Sequence, residues 1–287
     1  MRALVTGAHG QLGQALVRLL GDRVAWAGGR DELDVRDPSA VRRVVAAARP
    51  DVVINATAYN KVDAAESEPA EALAVNAEGP LHLARAAGEA GARIVHVSTD
   101  YVFDGRGTRP YAETDPPNPI GAYGVSKLSG ELLVAGATPE HLIVRTSGVF
   151  AAGGSRAKGG SFVERILARA RAGEPLRVVA DQVFSPTYAP DLAQAILALL
   201  DRGALGVVHV TNQGTCSWHE MASAALELAG LRGVPVQAIR AEQLAAAARR
   251  PAWSVLDNAR WRALGLPPLR PWREALREML ASSAPRG

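Results

Sequence analysis

The chain lacks several features that would assign it to large classes of proteins. It has a single cysteine, Cys216, in 287 residues, which excludes an intrachain disulfide and a metal cluster built from the cysteines of one chain. Because disulfides mark oxidising compartments, we expect a cytoplasmic protein. No run approaches the roughly 18 apolar residues of a membrane span, and glycines interrupt the N-terminal apolar stretch. We therefore expect neither a membrane association nor a signal peptide.

The chain also has little excess of one sign of charge over the other. The 32 basic and 29 acidic residues leave a net charge of +3. No run of basic residues is dense enough to follow a phosphate backbone, so we expect no nucleic acid partner. The six histidines are scattered without metal-ligand spacing, and we expect no metal site. Only three basic residues are lysines, namely Lys61, Lys127 and Lys158, so each of them merits attention.

Short apolar runs alternate with amphipathic helical patterns along the chain. The runs are apolar throughout rather than alternating with period two, which is typical of strands covered on both faces. Strands that alternate with helices predict an α/β fold with a doubly wound parallel sheet, as in Rossmann-like proteins. The predicted strands are 3–6, 24–27, 52–55, 93–98, 142–146, 176–179 and 207–210.

The last third of the chain has a different pattern. Capping-box spacing starts helices at Ser161 and Ser217, and segments 241–248 and 272–280 also have helical patterns. We predict a dinucleotide-binding domain over 1–150, with a returning segment near 176–215. A smaller, more helical lobe that binds substrate is predicted over 151–287. The glycine-flanked segment 153–160 is interpreted as a lid or as an insertion.

The first predicted strand runs into a glycine-rich turn and then into a helix. Gly7, Gly10 and Gly13 have Gly-x-x-Gly-x-x-Gly spacing, with Gln11 and Leu12 between the last two. A turn without Cβ atoms lets the backbone approach a pyrophosphate, and the helix N-terminus points N–H groups at that charge. A tight turn without a ligand has the same glycines, but the strand–turn–helix context favours cofactor binding.

The ends of the second and third strands supply further cofactor candidates. Arg30 stands where an arginine would accept the 2′-phosphate of NADP, which favours NADPH, with NADH as the alternative. A solvated charged loop is the other interpretation of Arg30. Asp34 and Val35 lie where such folds cover the adenine. Three small or polar residues after the third strand are expected to line the cofactor groove: Thr57, Ala58 and Tyr59.

Three residues form a candidate set for proton transfer. Thr99 ends the fourth strand, and Tyr123 and Lys127 stand four residues apart, on one face of a predicted helix. A free phenol has a pKa near 10, and a neighbouring ammonium would lower it. Tyr123 could then donate a proton to a carbonyl oxygen that Thr99 orients, while Lys127 holds the nicotinamide ribose. An exposed tyrosine and a solvated lysine are the alternative.

The order of these motifs resembles the extended short-chain dehydrogenase/reductase superfamily. Longer strings are similar to one branch, the dTDP-4-dehydrorhamnose reductases, and the Ser-Thr-Asp-Tyr-Val-Phe string at 98–103 is the most specific of them. The matching stretches cover nearly the whole chain in family order: 10–13, 55–66, 98–105, 123–131, 145–147, 181–187 and 249–251.

This resemblance implies an enzyme that reduces the C4 ketone of dTDP-4-dehydro-L-rhamnose with a nicotinamide cofactor. Tyr123 would donate the proton, while Thr99 and Asp100 would contact the sugar. Gln182 would line the sugar pocket. Arg249 and Arg250 could bind the nucleotide phosphates, since guanidinium groups match phosphate geometry, although a solvated basic turn would look the same. We also expect a homodimer.

One departure from the family concerns the substrate pocket. The family commonly has a tryptophan after the Arg-Thr-Ser string, where this chain has Gly148. We expect a lost aromatic wall and an enlarged pocket there.

Two alternatives remain open. A sugar-nucleotide epimerase or dehydratase shares the superfamily's motifs, but Tyr101 stands where a dehydratase usually carries an acid. A regulatory subunit similar to the β subunit of methionine adenosyltransferase would keep the cofactor site without catalysis. Retention of Thr99, Tyr123 and Lys127 favours an enzyme over the regulatory subunit.

Overall fold

The fold is known from a computed structural model that describes residues 1–153 and 160–283. Most of the predicted lid, 154–159, lies outside the described residues. The described strands, in chain order, are β1 (Ala3–Thr6), β2 (Val24–Gly28), β3 (Val52–Asn55), β4 (Arg93–Thr99), β5 (His141–Thr146), β6 (Val149–Phe150), β7 (Leu176–Val179), β8 (Val183–Phe184), β9 (Thr187–Tyr188), β10 (Gly206–His209), β11 (Cys216–Ser217) and β12 (Val236–Ile239).

Six of these strands form the central sheet, in the order β10-β5-β4-β3-β1-β2, and all neighbouring pairs are parallel. After β1 the chain adds β2 on one side, and then crosses to add β3 on the other. Such a reversal of strand order opens a crevice at the carboxyl ends of the strands, where open α/β sheets bind ligands. The predicted parallel sheet is confirmed.

Both faces of the sheet are covered by apolar helices. Ala3 and Val5 of β1 belong to one apolar cluster and Leu4 to another, because successive side chains of a strand point to opposite faces. All three residues are fully buried. This double coverage explains why the strands are apolar throughout, and it confirms the doubly wound architecture.

The helices match most of the sequence predictions. Both predicted capping boxes are present, at Ser161 and Ser217. A π-helical turn (Ala74–Glu78) separates α4 (Pro69–Leu73) from α5 (Gly79–Glu89). The described helices are α1 (Gln11–Leu20), α2 (Pro38–Ala48), α3 (Ala64–Ser67), α4 (Pro69–Leu73), α5 (Gly79–Glu89), α6 (Ala122–Ala137), α7 (Phe162–Arg171), α8 (Ala189–Asp201), α9 (Trp218–Leu228), α10 (Ala259–Ala263) and α11 (Trp272–Ser283). None of them is long and apolar enough to cross a membrane.

The second half of the chain is joined both to the sheet and to the helices that cover it. β10 pairs with β5 at the sheet edge, and α8 packs against α1. In contrast, β7 pairs with β12 outside the central sheet. The helix predicted over 241–248 is wrong, because a short 3₁₀ turn (Ala241–Leu244) ends at Ala245 with φ 47°. Beyond this turn, the N–H of Ala248 donates to the carboxylate of Asp63 rather than to a helical carbonyl.

Candidate active site

The glycine turn lies between β1 and α1 at the sheet's switch point. Gly7 has φ 70°, which favours glycine, and a Cβ there would lie 2.6 Å from the carbonyl carbon of Ala56. A Cβ on Gly13 would lie 2.1 Å from the carbonyl oxygen of Gly7. Gly10 is the N-cap of α1 and has no side chain with which to cap it. The glycines therefore pack strand, turn and helix together and leave the helix N-terminus accessible to an anion.

This turn fits the pyrophosphate of a dinucleotide. Oε1 of Gln11 is buried and has no hydrogen-bond partner among the described residues, although a buried amide oxygen ordinarily has one. Leu12 is buried beneath the turn. The first turn of α1 contains no acidic residue that would repel a phosphate. We infer that these residues are suited to hold the cofactor phosphates.

The end of β2 carries basic and acidic groups in one network. Asp34 accepts hydrogen bonds from the guanidinium of Arg36, which lower its pKa to about 2. Arg36 also binds Glu71 at 2.8 Å. Arg30, in contrast, is exposed and lies 3.7 Å from Glu71. Arg30 is thus the guanidinium at this edge with room for a phosphate, whereas Arg36 is held by two carboxylates.

The segment after β3 lies directly against the glycine turn. A Cβ on Gly7 would be 2.8 Å from the backbone nitrogen of Thr57, and that nitrogen donates to Oδ1 of Asn55. Ala58 is exposed, while the backbone N–H of Tyr59 is held by the side chain of Asn76. Val35, also predicted for the cofactor, is buried instead. Of the predicted groove residues, Thr57 therefore lies against the glycine turn, and Ala58 and Tyr59 follow it along the chain.

Thr99, Asp100 and Tyr123 meet at the carboxyl end of β4. The hydroxyl of Thr99 donates to Oδ1 of Asp100 at 3.0 Å and is also hydrogen-bonded to Tyr123. The other carboxylate oxygen of Asp100 accepts from Ser147 at 2.7 Å, and Ser254 hydrogen-bonds the same carboxylate. Burial raises the pKa of Asp100. The strand end thus holds a connected set of hydroxyl groups around a single buried carboxyl group.

Helix α6 approaches this strand end closely enough to bring in Tyr123. A Cβ on Gly124 would lie 2.3 Å from the backbone oxygen of Tyr101, so only glycine allows this approach. The rings of Tyr101 and Tyr123 pack edge to face, with centroids 5.7 Å apart. Desolvation raises the pKa of Tyr123 to about 12, and the hydrogen bond with Thr99 acts in the opposite direction. The phenol is therefore protonated at neutral pH.

Lys127 lies one turn further along α6 and is 1 % exposed. Its Nζ donates to the carbonyl oxygen of Val97 at 2.7 Å and lies 3.4 Å from Nε2 of His96. Burial lowers its pKa to about 8, while Glu131 acts in the opposite direction. The lowered phenol pKa predicted for Tyr123 is thus not found, because desolvation outweighs any effect of this ammonium.

A cavity of about 250 Å³ opens at Thr99 and Tyr123. Gly148 and Gln182 line it as predicted, but the aromatic wall is not lost. A Cβ on Gly148 would lie 2.2 Å from the ring of Phe184, and this ring stacks on Trp218 with centroids 4.1 Å apart. Phe184 therefore supplies an aromatic wall beside Gly148, and the enlargement of the pocket stays a prediction.

A larger cavity of about 800 Å³ adjoins the first and shares Tyr101, Gln182 and Trp218 with it. Among the described residues, its lining contains a single acidic residue, Glu242, and five arginines, so it suits an anionic ligand. The arginines are Arg165, Arg169, Arg177, Arg249 and Arg250.

The two predicted phosphate ligands differ in their surroundings. Arg249 is exposed, whereas Arg250 is bound to the carboxylate of Asp63 at 2.7 Å and hydrogen-bonded to Tyr101. The Asp63 contact connects the loop after β3 to the segment 248–250, which lines the larger cavity.

Several residues of the site were missed by the sequence analysis. Ser147 and Phe184 lie within strings that matched the family, but their roles have no local signal. Ser254 enters the pocket because its backbone pairs with β8: the N–H of Ser254 donates to the carbonyl of Val183. Trp218 follows a capping-box serine, which predicted a helix start but no cavity wall. Arg165 and Arg169 of α7 line the larger cavity, but no motif in the sequence marks them.

A glycine turn at the switch point of a parallel sheet, together with a protonated tyrosine at the carboxyl end of β4, is typical of the nicotinamide-dependent oxidoreductases with a Rossmann-like sheet. Within this class, the family model described as RmlD substrate binding domain matches residues 1–284, and the chain belongs to that family.

Individual relatives agree with this assignment. A dTDP-4-dehydrorhamnose reductase of Streptomyces griseus is 45 % identical over 286 residues, covering 96 % of this chain and 92 % of the relative. The structure of a dTDP-4-dehydrorhamnose reductase from Clostridium acetobutylicum superposes with a TM-score of 0.93 at 37 % identity, covering 98 % of this chain and 99 % of the other. One from Bacillus anthracis, in complex with NADP, has a TM-score of 0.93 and 36 % identity, with the same coverage.

Proposed function

We propose that the protein reduces the C4 ketone of dTDP-4-dehydro-L-rhamnose to the alcohol, giving dTDP-L-rhamnose, with NADPH as the reductant. The observation that carries this proposal is the position of Tyr123 and Thr99 on the wall of a small cavity that adjoins an arginine-lined one. The small cavity suits a sugar and the basic cavity suits a nucleotide diphosphate. The reductases of the same family support this substrate class.

The cofactor is assigned to the crevice at the switch point. NADPH, when bound, supplies the hydride that reaches the ketone carbon. Gly7, Gly10 and Gly13 would let the backbone approach its pyrophosphate, with Gln11 beside it. Arg30 would bind the 2′-phosphate, since its guanidinium is exposed and only loosely paired. The NADP bound to the relative from Bacillus anthracis supports this choice of cofactor.

The proposed roles of the two parts of the chain, cofactor binding and substrate binding, follow the predicted domains. Residues 1–150, with the returning strand β10 and helix α8, would bind the cofactor. Residues 151–287 would contribute most of the substrate lobe, to which Gln182, Arg249 and Arg250 belong. In this proposal Arg249 contacts the nucleotide phosphates, while Arg250 chiefly holds the lobe against Asp63.

Proton delivery is assigned to Tyr123. Its pKa of about 12 keeps the phenol protonated at neutral pH, which is the state that a general acid needs. As the hydride reaches the ketone carbon, the phenolic O–H donates its proton to the ketone oxygen, and the C=O bond becomes a C–OH group. The phenolate that remains must then be reprotonated, and the ammonium of Lys127, one turn further along the same helix, would stabilise it in the meantime.

Thr99 and Asp100 would orient the reacting groups. The Thr99 hydroxyl donates to Asp100 and accepts from the backbone N–H of Tyr101, which leaves one lone pair for the contact with Tyr123. Ser147 and Ser254 fix the carboxyl group in turn. We infer that Asp100 holds Thr99 in one rotamer and contacts a sugar hydroxyl with its remaining acceptor capacity.

The alternatives have less support. The relatives are reductases rather than regulatory subunits, and the complete Thr99, Tyr123 and Lys127 set favours catalysis. A dehydratase needs a further acid beside Asp100, and that position holds Tyr101, whose ring packs against Tyr123. The expected homodimer and cytoplasmic location are part of this proposal, and light scattering of the purified protein tests the dimer.

The proposed function is tested by incubating the purified protein with dTDP-4-dehydro-L-rhamnose and NADPH, and following NADPH absorbance and product identity. We expect NADPH oxidation that depends on the sugar nucleotide, with dTDP-L-rhamnose as the product. Tight NADPH binding without turnover of any 4-keto sugar nucleotide would support the regulatory alternative instead.

A further inference from the structure

A chain of polar side chains crosses the buried interior from β1 to α6. Oγ1 of Thr6 donates to Oδ1 of Asn55 at 2.9 Å, and Nδ2 of Asn55 lies 3.1 Å from Nδ1 of His96. Nε2 of His96 then lies 3.4 Å from Nζ of Lys127. None of these four residues is more than 2 % exposed. Burying four polar side chains in a row is costly unless they are mutually satisfied, so their orientation is informative.

The orientation of the Asn55 amide is fixed by its neighbours. Its Oδ1 accepts from the Thr6 hydroxyl and, at 3.0 Å, from the backbone N–H of Thr57. A backbone N–H can only donate, so the atom facing it must be the oxygen. The NH₂ end of Asn55 therefore faces His96, and Nδ1 of His96 must accept a hydrogen bond.

This hydrogen bond selects the tautomer of His96. Burial and the neighbouring Lys127 charge hold the pKa of His96 well below its usual value, so the imidazole is neutral. A neutral imidazole with an accepting Nδ1 carries its proton on Nε2. Nε2–H therefore points a donor at Nζ of Lys127. An ammonium has donors only and cannot accept this bond, whereas a neutral amine has a lone pair that can.

We propose that Asn55 and His96 form a tautomer lock that presents an N–H donor to Lys127 and so stabilises the neutral amine of this lysine relative to the ammonium. His96 is thus a positioning residue that acts on the site through Lys127. The carbonyl of Val97 accepts from either form of the lysine, so it does not oppose the lock.

The other charged groups around Lys127 oppose the lock only weakly. Glu131, on the same helix, favours the ammonium, but its carboxylate is held by Arg145 from β5 at 2.6 Å. Tyr123 is neutral. The lowered pKa of Lys127, about 8, agrees with this balance.

The consequence for catalysis rests on the proposed function. Tyr123 loses a proton in each turnover and must regain one. A lysine that exchanges its proton close to neutral pH can supply that proton, whereas an ordinary buried ammonium held by acceptors releases it less readily. The lock would therefore make Lys127 a source of protons as well as of positive charge.

The lock is tested by NMR on the protein without cofactor, so the outcome does not depend on any turnover. The sequence contains only three lysines, so labelling with [¹³Cε]lysine gives three resolved signals, and Lys127→Arg assigns one of them. We expect the Lys127 signal to titrate at about 8. Nitrogen shifts of the His96 ring should show a protonated Nε2 and an unprotonated Nδ1 in the same sample. Protonation on Nδ1 would overturn the proposal without any variant.

Asn55→Asp provides the sharpest perturbation, because a carboxylate accepts on both oxygens. It should draw the proton to Nδ1 of His96, turn Nε2 into an acceptor, and raise the Lys127 midpoint by about one pH unit or more, a tenfold change in proton affinity. A midpoint that rises while the tautomer stays unchanged would assign the shift to the added charge and overturn the lock. An unchanged midpoint with a reversed tautomer would overturn it as well.

Discussion

Removing the charge of Glu131 should destabilise the protein strongly. Its carboxylate accepts from Nε and Nη2 of Arg145, at 2.9 and 2.6 Å, and from the hydroxyl of Ser98 at 2.5 Å. The two ionic side chains are only 5 % and 3 % exposed, for Arg145 and Glu131. Breaking a buried ion pair by removing one partner costs about 3–5 kcal/mol, because the remaining charge stays buried without compensation. We therefore expect Glu131→Gln to lose about this amount.

The loss is large relative to a typical stability of about 5–15 kcal/mol. At about 2–4 °C per kcal/mol, the midpoint of thermal unfolding should fall by roughly 6–20 °C. Circular dichroism during heating measures this fall, with urea unfolding to obtain the free energy. Glu89→Gln is the matched control, since its pair with Arg42 has the same chemistry at 2.8 Å but is exposed. The control should change stability by less than about 1 kcal/mol. Equal effects of the two substitutions would refute the reasoning.

Three further predictions concern the cofactor turn, the pocket wall and a buried histidine. Gly13→Ala places a methyl 2.1 Å from the Gly7 oxygen and should weaken NADPH binding at least tenfold in a fluorescence titration, whereas Gly88→Ala, with open space around it, should not. Phe184→Ala removes an aromatic wall of the small cavity and should raise KM for the sugar nucleotide while NADPH affinity stays unchanged; equal losses of both would contradict this assignment. Burial lowers the pKa of His209 to about 3. Because the unfolded chain binds this proton below about pH 6.5, His209 alone should lower stability by about 2 kcal/mol between pH 7 and 5, and the fall in His209→Gln should be smaller by that amount.

The central sheet could be predicted because its signals are local. Each strand is an apolar run bounded by turns, and the glycine turn can be identified from the spacing of three glycines within seven residues. The capping boxes at Ser161 and Ser217 are also local, and both were found. The failure at 241–248 has the opposite cause. Its backbone is held by distant carboxylates of Asp63 and Asp181, which no pattern within that segment reveals.

The site could be predicted only in part for the same reason. The spacing of Tyr123 and Lys127 correctly placed both on one helix, but it could not reveal that Lys127 turns toward Val97 and His96. Phe184 provides an aromatic wall beside Gly148, and its position depends on where β8 lies relative to Gly148, which the sheet topology decides. Contacts between segments that are distant along the chain could therefore not be predicted from the sequence.

The most direct test of the account is the reduction of dTDP-4-dehydro-L-rhamnose by Tyr123→Phe. The substitution removes one hydroxyl and keeps the ring that packs against Tyr101. A general acid contributes a factor of about 10²–10⁴ to the rate, so kcat should fall within that range while NADPH affinity and thermal stability remain close to those of the unmodified protein. A Tyr123→Phe variant that reduces the sugar nucleotide at the unmodified rate would contradict the assignment of Tyr123 as the proton donor.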